Sequence, residues 1–95
     1  MATTTKVNVS KFADKQVSRL PIEMKVAFYV WVNAVENNGI HLVRSTRGYR
    51  DEALQGKRKG QRSVRLNRAY RMIYEQFDDG KCHIIGVLEV NRHEY

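Results

Sequence analysis

The 95 residues, 42% of them hydrophobic, suffice for a single domain over 1–95 with one core, and 17 Lys and Arg against 10 Asp and Glu leave a formal charge of +7. The longest apolar run is the seven residues Val26–Val32, far short of the roughly 20 of a membrane helix, and no apolar signal segment follows Met1–Thr5. Cys82 is the only cysteine, which excludes an intrachain disulfide, disfavours a cysteine-based zinc site and suits a reducing cytoplasm, so the expected molecule is a basic cytoplasmic domain whose natural partner is a polyanion.

In chain order, Lys6–Val9 alternates and reads as a short strand. Ser10 reads as an N-cap, followed by a helix carrying Phe12, Gln16, Val17 and Leu20. Pro21 breaks that helix and is placed to begin a second, over 21–37, which Asn38-Gly39 stops. Val26–Val32 read alone fits a buried strand equally well, but its length and flanking signals favour the helix. Apolar residues reach nearly all round this helix, which predicts burial on most sides, the alternative being a face held for a protein partner.

Residues 40–55 lack a clear period, with a turn expected at Gly48-Tyr49-Arg50-Asp51. A basic loop, Lys57-Arg58-Lys59-Gly60, leads into three strand-like runs at Arg62–Leu66, Tyr70–Phe77 and Cys82–Val90. Asn67-Arg68-Ala69 links the first two, and Asp78-Asp79-Gly80 is a hairpin turn between the last two. The order β-α-α-β-β-β predicts an α+β fold, two N-terminal helices packed on one face of a small, mostly antiparallel sheet.

The charge is concentrated. Arg44 to Arg71 holds ten bases, eight of them Arg, against Asp51 and Glu52, for a net +8, while the rest of the chain sums to −1. Uncompensated charge of this density repels itself, and a phosphate-binding surface is what uses it. A guanidinium suits phosphate oxygens and stacks on bases, and Tyr49, Tyr70 and Tyr74 are interleaved with the arginines, as in proteins that bind unstacked bases. The alternative is a patch for solubility or for an acidic protein. Strand alternation puts Arg71, Ile73, Glu75 and Phe77 opposite Tyr70, Met72, Tyr74 and Gln76. It puts Ser63, Arg65 and Asn67 opposite Arg62, Val64 and Leu66, so Arg65 and Arg71 are expected on the open face, away from the helices.

The run Leu54-Gln55-Gly56-Lys57-Arg58-Lys59-Gly60-Gln61-Arg62-Ser63-Val64-Arg65-Leu66, followed by Ala69-Tyr70-Arg71-Met72-Ile73-Tyr74, resembles the RelE/ParE toxin superfamily, in its HigB-like or RelE-like branch. The resemblance covers about residues 48–95. It implies two helices on a small curved antiparallel sheet, and a toxin of a bacterial type II toxin–antitoxin system. It further implies an endoribonuclease, independent of metal and cofactor, that cuts mRNA in the ribosomal A site. The implied partners are a cognate antitoxin, mRNA and ribosomal RNA, with operator DNA reached only through the toxin–antitoxin complex and no membrane.

Metal-free RNA cleavage uses the 2′-OH as nucleophile and needs a base, cations at the phosphorane oxygens and an acid for the 5′-oxygen. By resemblance Arg71 stabilises the phosphorane, Arg65 contacts phosphate one strand over, and Arg92 is the basic residue after the last strand. His93 suits acid or base work near neutrality, and Tyr95 stacks on a base or assists proton transfer. Lys57, Arg58, Lys59, Arg62, Arg68 and Arg50 are assigned to RNA, and His41 and His83 to structure. No Glu or His stands at 57–62, where some branches carry the base, and the assignment moves to His93. The alternative is a ParE-like toxin that inhibits DNA gyrase by binding, without nuclease chemistry. A plain nucleic-acid-binding module is a third reading.

Overall fold

The computed structural model describes residues 4–78 and 82–92. The elements are β1 (Thr4–Val9), α1 (Lys11–Ser18), α2 (Ile22–Asn38), α3 (Ile40–Arg44), β2 (Glu52–Ala53), β3 (Gln61–Arg65), β4 (Tyr70–Asp78) and β5 (Cys82–Arg92). The strands make one sheet in the order β1-β5-β4-β3-β2, antiparallel except for β1 against β5. The α+β architecture with helices on one face is therefore as expected. Two additions, α3 and the two-residue β2, come from the stretch without a period.

Each helix boundary has a local cause. The Ser10 Oγ accepts a hydrogen bond from the Ala13 N–H at 3.0 Å, capping α1. Ala13, Val17 and Leu20 are buried, whereas Phe12 lies exposed on the other side of the helix. Pro21 caps α2 from outside, its carbonyl accepting from the N–H groups of Met24 and Lys25. Gly39, with φ of 88°, ends α2 in a conformation that costs glycine little and turns the chain directly into α3.

The core lies between the helices and the sheet. Met24, Phe28, Trp31 and Val35 line the inner side of α2, and Ile40 and Val43 come from α3. Val64, Met72, Tyr74, Ile85, Val87 and Val90 rise from the sheet to meet them. Burial on most sides does not hold for α2. Ile22, Val26, Tyr29 and Val30 form an outer stripe at spacings of four, three and one, each more than half exposed. The sheet takes one side of the helix, and α1, which packs mainly against β5, leaves the outer stripe uncovered.

β5 carries a bulge that decides which side chains reach the open face. Ile73 pairs with Glu89 and Tyr74 with Val87, so Leu88 has no partner on β4. The extra residue resets the alternation. Val87 and Val90 both face the core, and Glu89 and Asn91 lie beside Ile73 and Arg71 on the other side. α1 satisfies the bulged backbone: Ser10 Oγ donates to the Leu88 carbonyl at 3.1 Å, and Gln16 Oε1 accepts from the Val90 N–H at 2.7 Å.

Candidate functional site

The open face of β3 and β4 is where the charge collects. Val64, Met72 and Tyr74 are all 0% exposed on the helix side, so their neighbours Ser63, Arg65 and Arg71 emerge on the other. Arg65 and Arg71 are direct cross-strand partners. Like charges directly opposite in an antiparallel pair repel, and an anion placed between them removes that penalty. The Nε of Arg71 is shielded from solvent and has no hydrogen-bond partner among the described residues. A buried donor left unsatisfied costs about 1–3 kcal/mol, and a phosphate oxygen is the natural acceptor.

Two turns add the remaining charge. In the β3–β4 connection the Asn67 Oδ1 accepts from the N–H groups of Ala69 at 2.7 Å and Tyr70 at 2.8 Å. This side-chain turn presents Arg68. On the other flank a 3₁₀ turn over Arg47–Tyr49 ends at Arg50, whose φ of 44° makes it the one non-glycine residue with positive φ among those described. Arg50, Arg65, Arg68 and Arg71 thereby line one cleft of about 210 Å³, together with Glu52, Ser63, Asn67 and Tyr70. Glu52 is the only carboxylate lining it among the described residues, brought there by the pairing of β2, in which Glu52 is the Cα partner of Ser63.

A buried polar lock on the helix side holds this segment. The Asp51 side chain is 1% exposed and accepts from Arg62 Nε and, at 2.5 Å, from the Tyr74 hydroxyl. Burial, reinforced by the Asp51 carboxylate, pushes the Tyr74 hydroxyl up to about 12. Burial alone lowers the Arg62 pKa, but Asp51 more than offsets it and the net shift is upward. Successive residues are thus sent opposite ways: Arg50 and Glu52 to the cleft, Asp51 to the lock.

The other sequence-predicted residues are dispersed. Arg62 is committed to Asp51. Arg58 reaches across the open face, donating to Gln61 Oε1 on β3 and to Glu89 Oε1 on β5, each at 2.9 Å. Lys57 and Lys59 are exposed beside it, in the turn before β3. Arg92 pairs with Tyr70, and alternation places it on the face opposite Arg71. His93 and Tyr95 lie outside the described residues, as do positions 79 and 80 of the expected Asp78-Asp79-Gly80 turn. His83 pairs with Asp78 at the far end of β4 from Arg71, its ring edge-on to His41 at 5.8 Å. That hydrogen bond from His83 holds the Asp78 carboxyl below its ordinary range. Among the described residues no three His, Cys, Asp or Glu side chains gather to hold a metal ion.

No family model matches the chain, and no curated protein matches it in sequence. Solved structures do match. A YoeB/ParE toxin from Agrobacterium tumefaciens superposes with a TM-score of 0.73 at 15% identity, over 94% of this chain and 99% of that one. The archaeal RelE–RelB complex from Pyrococcus horikoshii matches with a TM-score of 0.72 at 22% identity, over 94% of each chain. The fold is that of the RelE/ParE-like toxins. The YoeB–YefM complex from Staphylococcus aureus matches at 0.69 and 19% identity, over 95% of this chain and 98% of the other. At these identities the RelE/ParE-like likeness is one of backbone, and the arginine cleft is a property of this chain's own residues.

Proposed function

We propose that this chain is the toxin of a type II toxin–antitoxin pair and a ribosome-dependent endoribonuclease acting on mRNA in the bacterial cytoplasm. The observation that carries the reading is the cleft that Arg50, Arg65, Arg68 and Arg71 line together with one carboxylate among the described residues, Glu52. Solved relatives of the same fold are RelE and YoeB toxins, two of them in complex with RelB and YefM. A cognate antitoxin is accordingly the protein partner, and the outer stripe of α2 at Ile22, Val26, Tyr29 and Val30 is an apolar surface free to receive it. Operator DNA is met only through that complex. The ribosome supplies the message and further ribosomal RNA phosphates, for which Lys57 and Lys59 are exposed cations.

In the proposed reaction the scissile phosphate lies between Arg65 and Arg71, with Arg50 and Arg68 on neighbouring phosphates. A base removes the 2′-OH proton, O2′ bonds to phosphorus, the P–O5′ bond breaks, and an acid protonates O5′. The products are a 2′,3′-cyclic phosphate and a 5′-hydroxyl. Arg71 and Arg65 stabilise the doubly charged phosphorane more than the singly charged diester, which makes their binding catalytic. Glu52 is the proton acceptor inside the cleft. His93 is assigned as the acid for O5′ and Tyr95 as a base-stacking residue, both by resemblance. Arg92 adds charge at the end of β5 and is assigned no contact with the reacting phosphate.

Primer extension on a message in a reconstituted translation reaction tests the reading. New 5′ ends are expected with the wild-type protein, only on translated message, and at least tenfold fewer with Glu52→Gln or His93→Ala (a positioned acid or base contributes about 10²–10⁴-fold). Intact message together with loss of gyrase supercoiling activity is the result that overturns it in favour of a binding toxin.

A further inference from the structure

We propose that a second, shallower depression beside the arginine cleft is a nucleobase subsite, in which the Tyr49 ring receives the base next to the phosphate held by Arg65 and Arg71. The proposal rests on the nuclease reading and adds to it the part of the substrate that this chain reads besides phosphate. The depression, of about 190 Å³, is lined by Thr46, Gly48, Tyr49, Arg65 and Leu66. Arg65 lines both this depression and the arginine cleft, so the two share a wall. A ligand spanning them meets a cluster of guanidinium groups on one side of Arg65 and an aromatic and aliphatic floor on the other. Anion beside flat apolar ring is the chemistry of a nucleotide, and single-stranded RNA, whose bases are free to splay, is the occupant that supplies both.

Local structure prepares the depression. Tyr49 is half-buried and packs against the core, so little ring freedom is left to lose on stacking. Gly48 keeps the approach open, since a Cβ built there meets nothing within 4 Å. The Thr46 hydroxyl donates to the Leu42 carbonyl at 3.3 Å, which leaves its oxygen free to accept from a base edge. Four residues on, the left-handed Arg50 turns the chain so that Tyr49 lines one compartment and Arg50 the other. A left-handed non-glycine residue costs on the order of 1 kcal/mol or more and persists where its surroundings hold it. Here the holding group is the buried Asp51 that follows it.

The test is binding of a short single-stranded RNA, 2′-O-methylated throughout so that it cannot be cut, followed by fluorescence anisotropy against wild type, Tyr49→Leu and Tyr49→Phe. The same RNA with one abasic nucleotide and inorganic polyphosphate are the comparison ligands, and thermal melting checks that the variants fold. Tyr49→Leu should bind the RNA about 5- to 150-fold more weakly, the range of one base–aromatic stack. It should bind polyphosphate like wild type, with an unchanged salt slope, because no charge is removed. Tyr49→Phe should behave as wild type. The abasic RNA, scanned position by position, should at one position reproduce the loss on wild type and show none on Tyr49→Leu. Equal RNA affinity for wild type and Tyr49→Leu overturns the subsite, and so does an equal loss towards RNA and polyphosphate. Base-dependent binding by a protein that leaves translated message intact overturns the nuclease reading and spares the subsite.

Discussion

The two faces of β3 and β4 are built from the same fourteen residues and have opposite physical characters. On the helix side Val64, Met72 and Tyr74 are fully buried in the core. On the open side Arg65 stands opposite Arg71, a cross-strand pairing that works against stability, and the shielded Arg71 Nε has no acceptor among the described residues. A sheet kept only for stability would not place like charges opposite one another. The difference teaches that one face supplies the folding energy from which the other can be left frustrated, ready for a polyanion.

The comparison can be broken from either side. Arg71→Ala is expected to cost the largest effect, a loss of about 10²–10³-fold in cleavage rate, with a melting temperature equal to or above that of the wild type. A rate assay and a thermal melt on the same preparation check both halves. Met72→Ala should do the reverse, lowering unfolding free energy by about 2–5 kcal/mol in a urea titration while the cleavage rate of the folded fraction stays near wild type. Tyr74 sharpens the contrast through pH. Its pKa of about 12 in the folded state lies above the roughly 10 of an unfolded tyrosine. The stability it contributes is therefore complete below pH 10 and is lost as pH rises through 12. Chemical denaturation across that window should show a fall for wild type that Tyr74→Phe lacks. The smallest effect is expected from Lys57→Ala, an exposed cation, which should reduce the salt-dependence slope of RNA binding by about one and leave stability unchanged.

Much of this contrast was legible in the residues. Alternation alone put Arg65 and Arg71 on the face opposite Val64, Met72 and Tyr74, and the Ser10 cap and the Gly39 stop read correctly because each acts within one helical turn. What was not legible depends on partners distant in sequence. β2 is two residues long and has no period of its own, so the arrival of Glu52 beside Ser63 could not be read. The bulge at Leu88 re-aims Glu89 and Asn91 through contacts to α1, more than 70 residues away in the chain. Arg62 reads as one more surface base because nothing local marks Asp51, eleven residues earlier, as its buried partner. The exposed stripe of α2 was obscured by composition, since an apolar residue looks the same in sequence whether or not another element covers it.

The central claim is that the arginine pair on the open face acts on the phosphate undergoing cleavage. It is tested most directly by single-turnover cleavage of a ribosome-bound message with wild type and Arg71→Ala at saturating protein. Wild type should give new 5′ ends and the variant a rate at least about a hundredfold lower, with the variant melting at or above the wild-type temperature. Equal rates from the two folded proteins, or a message left intact by both, would contradict it.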